Sequence, residues 1–318
     1  MVAFEVKKTD LLIMIFPIDV RQSESWSDYL AFLGWEGFRT SGGALFESIQ
    51  SKWGNVIKVQ RPRHLTAKDL EEIEVKAVEL KAALIKIEPD IYQDMEVFEE
   101  AGYEENMSPL CPPATLFIDL TKSRDALHED LSGSCKYSIR RAQREGAEVK
   151  FYVNPNEEIL KQFHEIHKST GKQKRFYTQG FDDISRKVEV FGDEAVLGMV
   201  SSPLEEGGES VVTGANLYLG FNEGIWYMHG GTTEAGRDTK NGYALYWQSI
   251  LKLKEMGYKV LDFEGVDDKR FPSFTKNWGG LSHFKEKFGG ERVEFPVPRV
   301  KFLSPVLKTV SRVISLPV

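Results

Sequence analysis

The chain predicts an α/β (α+β) fold of two similar units, each a mixed sheet flanked by helices. Three observations lead there. At 318 residues it is long for one compact core and favours two domains. A hydrophobic content of 41% with 28% charged residues is that of a globular protein able to bury most of its apolar surface. One grammar, helices followed by a strand meander, a helix and a strand, runs through the chain twice.

The first unit opens with an extended run over residues 10–20. A helix over 25–33 follows, with Trp26, Tyr29, Leu30 and Leu33 on one face. Short strands at 44–48 and 55–59 are bounded by Gly42-Gly43 and Gly54. Thr66 caps a helix over 67–81, with Asp69 in its first turn. Strands at 83–87 and 115–120 follow, then helices at 123–131 and 136–145 and a strand at 149–153. The pattern restarts with helices at 156–168 and 182–191 and strands at 195–200, 211–219 and 224–229, the first two joined by a hairpin tip at Gly207-Gly208. A helix over 243–256 and a strand at 259–263 complete it. The expected division is therefore residues 1–149, completed by 295–318, and residues 150–294. The segment 295–318 carries Arg299, Lys301, Lys308 and Arg312 among apolar residues, which suits either a helix packed on the first unit or a basic amphipathic segment on an anionic membrane surface.

Composition narrows the function classes. Cys111 and Cys135 are too few for a disulfide framework and point to reduced structural thiols. No apolar run reaches the roughly 18 residues of a membrane span, and the N-terminal run holds Asp19, so a cytoplasmic protein is expected. A net charge of −7 disfavours indiscriminate nucleic-acid binding and leaves only local basic patches for RNA.

No dinucleotide-binding fingerprint, Walker loop or nucleophile elbow occurs. His164 and His167 share a helix face without a third ligand nearby, which favours a surface pair over a metal site. Lys136, Arg140 and Arg144 form a cationic stripe at i, i+4, i+8, either a solvated face or a docking place for phosphates. Gly236-Arg237 and Gly242 precede a helix, as either a plain helix start or an anion cradle. Tyr227 and His229 are two apart in a strand and are expected on one sheet face. Near the end, Phe284 and Lys285 sit between Gly279-Gly280 and Gly289-Gly290. Lys285 is either an exposed lysine or an enclosed ammonium that stabilises negative charge on an ester oxygen or phosphate.

Four blocks resemble the FemABX family of peptidoglycan-bridge aminoacyltransferases, over nearly the whole chain. They are Gln22-Ser23 with Trp26 and Leu33-Gly34-Trp35; Arg61-Pro62-Arg63 with Ile87-Glu88-Pro89; TLFIDL at 115–120 with KYSIRRAQREGAEV at 136–149; and LDFEGV at 261–266 with GLSHFKEKF at 280–288. The resemblance implies two GNAT-like domains and a reaction in which an amine of a cell-wall precursor attacks the ester carbonyl of aminoacyl-tRNA. It implies that Phe284 and Lys285 handle the reacting ester and that Asp119 accepts the proton. Tyr227, His229 and Arg175 would bind substrate, and Arg140 and Arg144 of the cationic stripe are counted with them as substrate-binding candidates. The implied partners are aminoacyl-tRNA and a lipid- or nucleotide-linked precursor, with no cofactor or metal, and a monomer is expected. An acyl-CoA-dependent enzyme of the GNAT class and a non-catalytic precursor-binding protein are the alternatives. The chain departs from the family after Trp26, where Tyr29 and Leu30 stand in place of an expected lysine.

Overall fold

The computed structural model describes residues 16–52, 54–203 and 208–311. The first sheet is built from β1 (Glu36–Arg39), β2 (Leu45–Ser51), β3 (Gly54–Gln60), β4 (Ala82–Glu88), β5 (Glu104–Glu105) and β13 (Arg299–Phe302), ordered β1-β2-β3-β4-β13-β5, with β-branched and polar residues alternating in the second half of β3. The second sheet joins β6 (Ala114–Asp119), β7 (Glu148–Val153), β8 (Ala195–Pro203), β9 (Ser210–Phe221), β10 (Gly224–Thr232), β11 (Val260–Asp262) and β12 (Glu291–Glu294), ordered β12-β6-β11-β10-β9-β8-β7. Each sheet holds one parallel pair among antiparallel neighbours, β3 with β4 and β10 with β11. A parallel pair needs a crossover, supplied by helices α2 (Ala67–Glu79) and α9 (Asn241–Glu255). This shared βαβ step is what the repeated sequence grammar encodes.

Helices cover the sheets according to where their apolar stripes fall. Helices α4 (Arg124–Asp130), α5 (Gly133–Arg144), α9 and α10 (Gly279–Glu286) lie on one face of the second sheet, around Leu116, Ile139, Ile250, Leu261 and Phe288. Its other face is covered by α1 (Glu24–Phe32), α6 (Glu157–Lys174) and α7 (Phe181–Phe191), around Trp26, Phe163, Ile184, Leu217 and Trp226. The first sheet packs Ile57, Val59 and Ile87 under α2 and α3 (Glu96–Glu100). Its opposite face sets a small apolar cluster of Val56, Leu84 and Val300 beside a buried cross-strand row of Glu47, Lys58 and Lys86. Two shorter helices, α8 (Glu234–Asp238) and α11 (Pro305–Ser311), complete the fold.

Two expectations are corrected. The division near residue 149 does not match the sheets, because β6 and β7 hydrogen-bond into the second sheet and α1 packs its Trp26, Tyr29 and Leu30 there as well. Helix periodicity identifies elements but says nothing of which sheet a strand joins. The segment after 295 is not one helix: Arg299–Phe302 pairs with β4 and β5, and Leu307 of α11 is buried against the same sheet. The extended run up to residue 15, the residues 204–207 of the β8–β9 hairpin tip, and Arg312 lie outside the described residues.

Candidate active site

Strands β10 and β11 pair over only three residues, Gly224–Trp226 against Val260–Asp262. Beyond that, β10 continues along β9 to Thr232, while the chain after Asp262 turns away through Glu264 and Gly265, both left-handed with φ of 51° and 48°. The strands part and leave a wedge-shaped gap. Gly265 is required there twice over: its backbone disfavours a side chain, and a Cβ would lie 2.8 Å from the Trp278 ring.

Lys285 enters this gap from α10 and is buried. Its Nζ donates to the carbonyls of Glu264 and Gly265, the latter at 2.8 Å, and lies 5.2 Å above the Tyr227 ring. Burial lowers its pKa to about 8, and the nearby Glu264 and Asp262 charges oppose that shift, so the cation prevails at neutral pH. Phe284 meets Tyr243 and Tyr246 edge-on at 4.9 and 5.0 Å. Burial pushes Tyr227 up to about 12 and Tyr246 well above the usual phenol range, so both are neutral hydrogen-bonding groups and not bases.

Under the gap, burial and the Glu264 charge raise the Asp262 carboxyl to about 8. Asp262 Oδ1 accepts from the Thr115 hydroxyl and, at 2.6 Å, from Glu264 N. Glu264 accepts from Arg21 Nη2 at 2.7 Å, and Arg21 also donates to Asp19 at 3.0 Å. These four ionisable groups tie the segment before α1 to the end of β11.

The other expected site residues scatter. Asp119 sits at the far end of β6, opposite Val260, and its Oδ1 accepts from Thr121 N and Oγ1 at 2.9 and 2.6 Å. Four residues separate it from Thr115, about 13 Å of strand, so Asp119 closes a turn and the structure does not bring it to Lys285. Arg140 and Arg144 are exposed on α5, whose N-cap Ser132 donates its backbone N–H to the Lys287 carbonyl. The stripe thus starts beside α10 and runs roughly 12 to 18 Å away from it. Arg175 is the exposed left-handed cap of α6.

Tyr227 and His229 do not share a face. Tyr227 pairs with Tyr218 and His229 with Leu217, so a bulge at Met228 absorbs one residue and reverses the alternation. Tyr227 faces Lys285, whereas His229 faces α6 and α7. There a cluster appears that motif reading missed. Lys187 of α7, 2% exposed, places Nζ 2.9 Å from His229 Nε2, donates to Gln179 Oε1, and lies 4.8 Å over the Tyr29 ring. Gln179 in turn donates to the Tyr29 hydroxyl at 3.1 Å, and the His167 ring lies 5.3 Å from that of His229. The one sequence signal was a lysine inside the apolar stripe Ile184, Val188, Phe191.

A cavity of about 520 Å³ lies near the N-terminus of α1, with Gln22, Ser23, Arg39, Arg63, His64 and Phe221 among its walls. Among the described residues no helix is long and apolar enough to cross a membrane.

The FemAB family model matches residues 90–206 and 197–298. The fold resembles the crystal structure of FemX, with 16% identity and a TM-score of 0.77 over 94% of this chain and 95% of that one. L-PGS from Bacillus licheniformis matches at 16% identity and 0.60 over 91% and 92%. A tandem GNAT protein from the clavulanic acid biosynthesis pathway matches at 11% identity and 0.50 over 84% and 82%. At these identities the likenesses establish the fold, two GNAT-like units in tandem. No curated protein matches the sequence.

Proposed function

The chain belongs to the FemAB family of transferases, and from that premise we propose that it moves an amino acid from aminoacyl-tRNA to an amine of a lipid- or nucleotide-linked peptidoglycan precursor, in the cytoplasm and as a monomer. One observation carries the reading: a buried, predominantly cationic lysine, framed by aromatic rings, at the point where β10 and β11 part. An aminoacyl ester is already activated, so the enzyme has to align amine and ester, worth several kcal/mol, and stabilise the oxyanion. Lys285 supplies positive charge where that oxyanion forms, and Phe284 packs the ester against Tyr243 and Tyr246. The α5 stripe that begins beside α10 offers Arg140 and Arg144 to the tRNA backbone. Arg39, Arg63 and His64 around the α1 cavity suit the phosphates of the acceptor. Asp119 has no part in this scheme, since its carboxylate is spent on Thr121.

The test is a screen of charged tRNAs against a precursor extract, read by mass spectrometry for an added residue. Lys285→Met should lower the transfer rate about 10²-fold, the usual loss for one charge-stabilising donor, with the fold intact by circular dichroism. Tight acetyl-CoA binding without transfer from any charged tRNA would overturn the reading in favour of an acyl-CoA-dependent enzyme.

A further inference from the structure

We propose that Lys187 sets the tautomer of His229, and that His229 Nδ1 takes the proton from the attacking amine. This rests on the amino-acid transfer reading above. The bulge at Met228 is what turns His229 away from Lys285 and onto Lys187. The two sides of the gap then differ in chemistry: the Lys285 side carries the aromatic frame suited to the ester, and the His229 side faces α6 and α7.

The argument is one of hydrogen-bond polarity. An ammonium can only donate, so while Lys187 is charged it donates to His229 Nε2 and the ring proton of the neutral imidazole must sit on Nδ1. Nδ1 is then a donor and useless as a base. Once Lys187 loses its proton its nitrogen gains a lone pair that Nε2–H can donate to, and in that tautomer Nδ1 is a free acceptor. No protein atom among the described residues holds Nδ1, and His229 keeps only a minor part of its surface exposed. The second imidazole is committed differently: His167 Nδ1 bonds to the Gly230 carbonyl at 2.9 Å, and its Nε2 is buried without a partner.

Several charged and titratable groups face Lys187. Asp183 lies on its own helix, Arg21 approaches from the turn before α1 and Glu264 from the end of β11, Tyr29 comes from α1, and His167 and His229 lie across from it. Burial dominates and lowers Lys187 to about 7; Asp183 and Glu264 work against that and Arg21 with it. Burial and the Lys187 charge keep His229 well below the usual imidazole range, so it is neutral, and loss of the lysine proton removes the second of those effects. Both switch positions are thus reachable near neutral pH.

The step balances. The amine nitrogen bonds to the ester carbonyl carbon and passes its proton to His229 Nδ1. The bond from that carbon to the ribose oxygen breaks, that oxygen takes a proton from solvent, and the imidazolium returns one to solvent. His229 is the catalytic residue here and Lys187 a positioning residue.

The test uses the full chain labelled with ¹⁵N-histidine, with His229→Gln to assign the ring signals. From pH 6 to 9 the protonated nitrogen of His229 should move from Nδ1 to Nε2 with a midpoint near that of Lys187, about 7, and Lys187→Met should abolish the movement. In transfer assays with UDP-muramoyl-pentapeptide and mixed aminoacyl-tRNA, the wild-type rate should rise across the same interval. Lys187→Arg, which stays charged, should run about 10²-fold slower at pH 8, the usual worth of a general base. Lys187→Met should stay within about tenfold of wild type and lose the pH rise. A tautomer that does not respond to pH or to Lys187→Met overturns the proposal, as does a folded Lys187→Arg with the wild-type rate. Wild-type inactivity with every charged tRNA and acceptor overturns the transfer reading and the proton step with it, while the tautomer measurement still decides what Lys187 does.

Discussion

Single buried ionisable groups dominate this site, and their pH behaviour follows from burial. Asp262 is held protonated up to about 8 by burial and by Glu264, whereas in the unfolded chain it ionises near the ordinary carboxylate value of about 4. The folded state therefore binds the extra proton between those limits, and stability is lost as pH rises through that window. Thermal unfolding followed from pH 4 to 8 should show Asp262→Asn with a flatter decline than wild type; identical slopes would refute the assignment. Lys285 has the opposite sign, since a lysine lowered to about 8 costs stability below the unfolded lysine value near 10.4 and regains it as pH rises from 8. At this scale Lys285 was singled out, because a lysine beside a phenylalanine between glycine pairs stands out, while its burial was decided only by the structure. Lys187 was not, because its neighbours in sequence are those of any amphipathic helix.

At the scale of elements, helices were read more surely than the irregularities between them. Thr66 caps α2 as anticipated, and Asp69 of the first turn makes the cap reciprocal: Thr66 Oγ1 accepts from Asp69 N at 3.2 Å and the Asp69 carboxylate from Thr66 N at 2.9 Å. Thr66→Ala should destabilise the chain by about 1 kcal/mol in urea unfolding without altering transfer. The bulge at Met228 had no such signature, since the strand reads as an unbroken run of alternating residues. Yet that one extra residue decides which side of the sheet His229 serves. Short edge strands, β1, β5 and β12, were likewise missed. They exist because a neighbouring strand offers hydrogen bonds, not because their own residues favour extension.

For the whole molecule, the contact between Arg21 and Glu264 spans 243 positions and joins the start of the described chain to the candidate site. Arg21→Ala would leave Asp19 and Glu264 as buried carboxylates without their partner, a loss of about 3–5 kcal/mol. Denaturant unfolding should show it, and an effect under about 1 kcal/mol, the range of exposed pairs, would mean the bridge is solvated. The same bridge explains why the two units do not divide at residue 149. The chain segments around residues 20 and 262 are fastened together, α1 lies on the second sheet, and β13 carries the chain back to the first.

The amino-acid sequence by itself determined the α/β class, the doubled grammar, the family and the neighbourhood of Phe284-Lys285, because periodicity, caps and glycine punctuation act between residues close in the chain. Only the tertiary structure decided sheet membership, the remoteness of Asp119, and the pairing of Lys187 with His229. Those depend on register, on a single bulged residue and on burial between distant segments, and burial is what moves a lysine or a carboxylate into the range where it can exchange a proton near neutral pH.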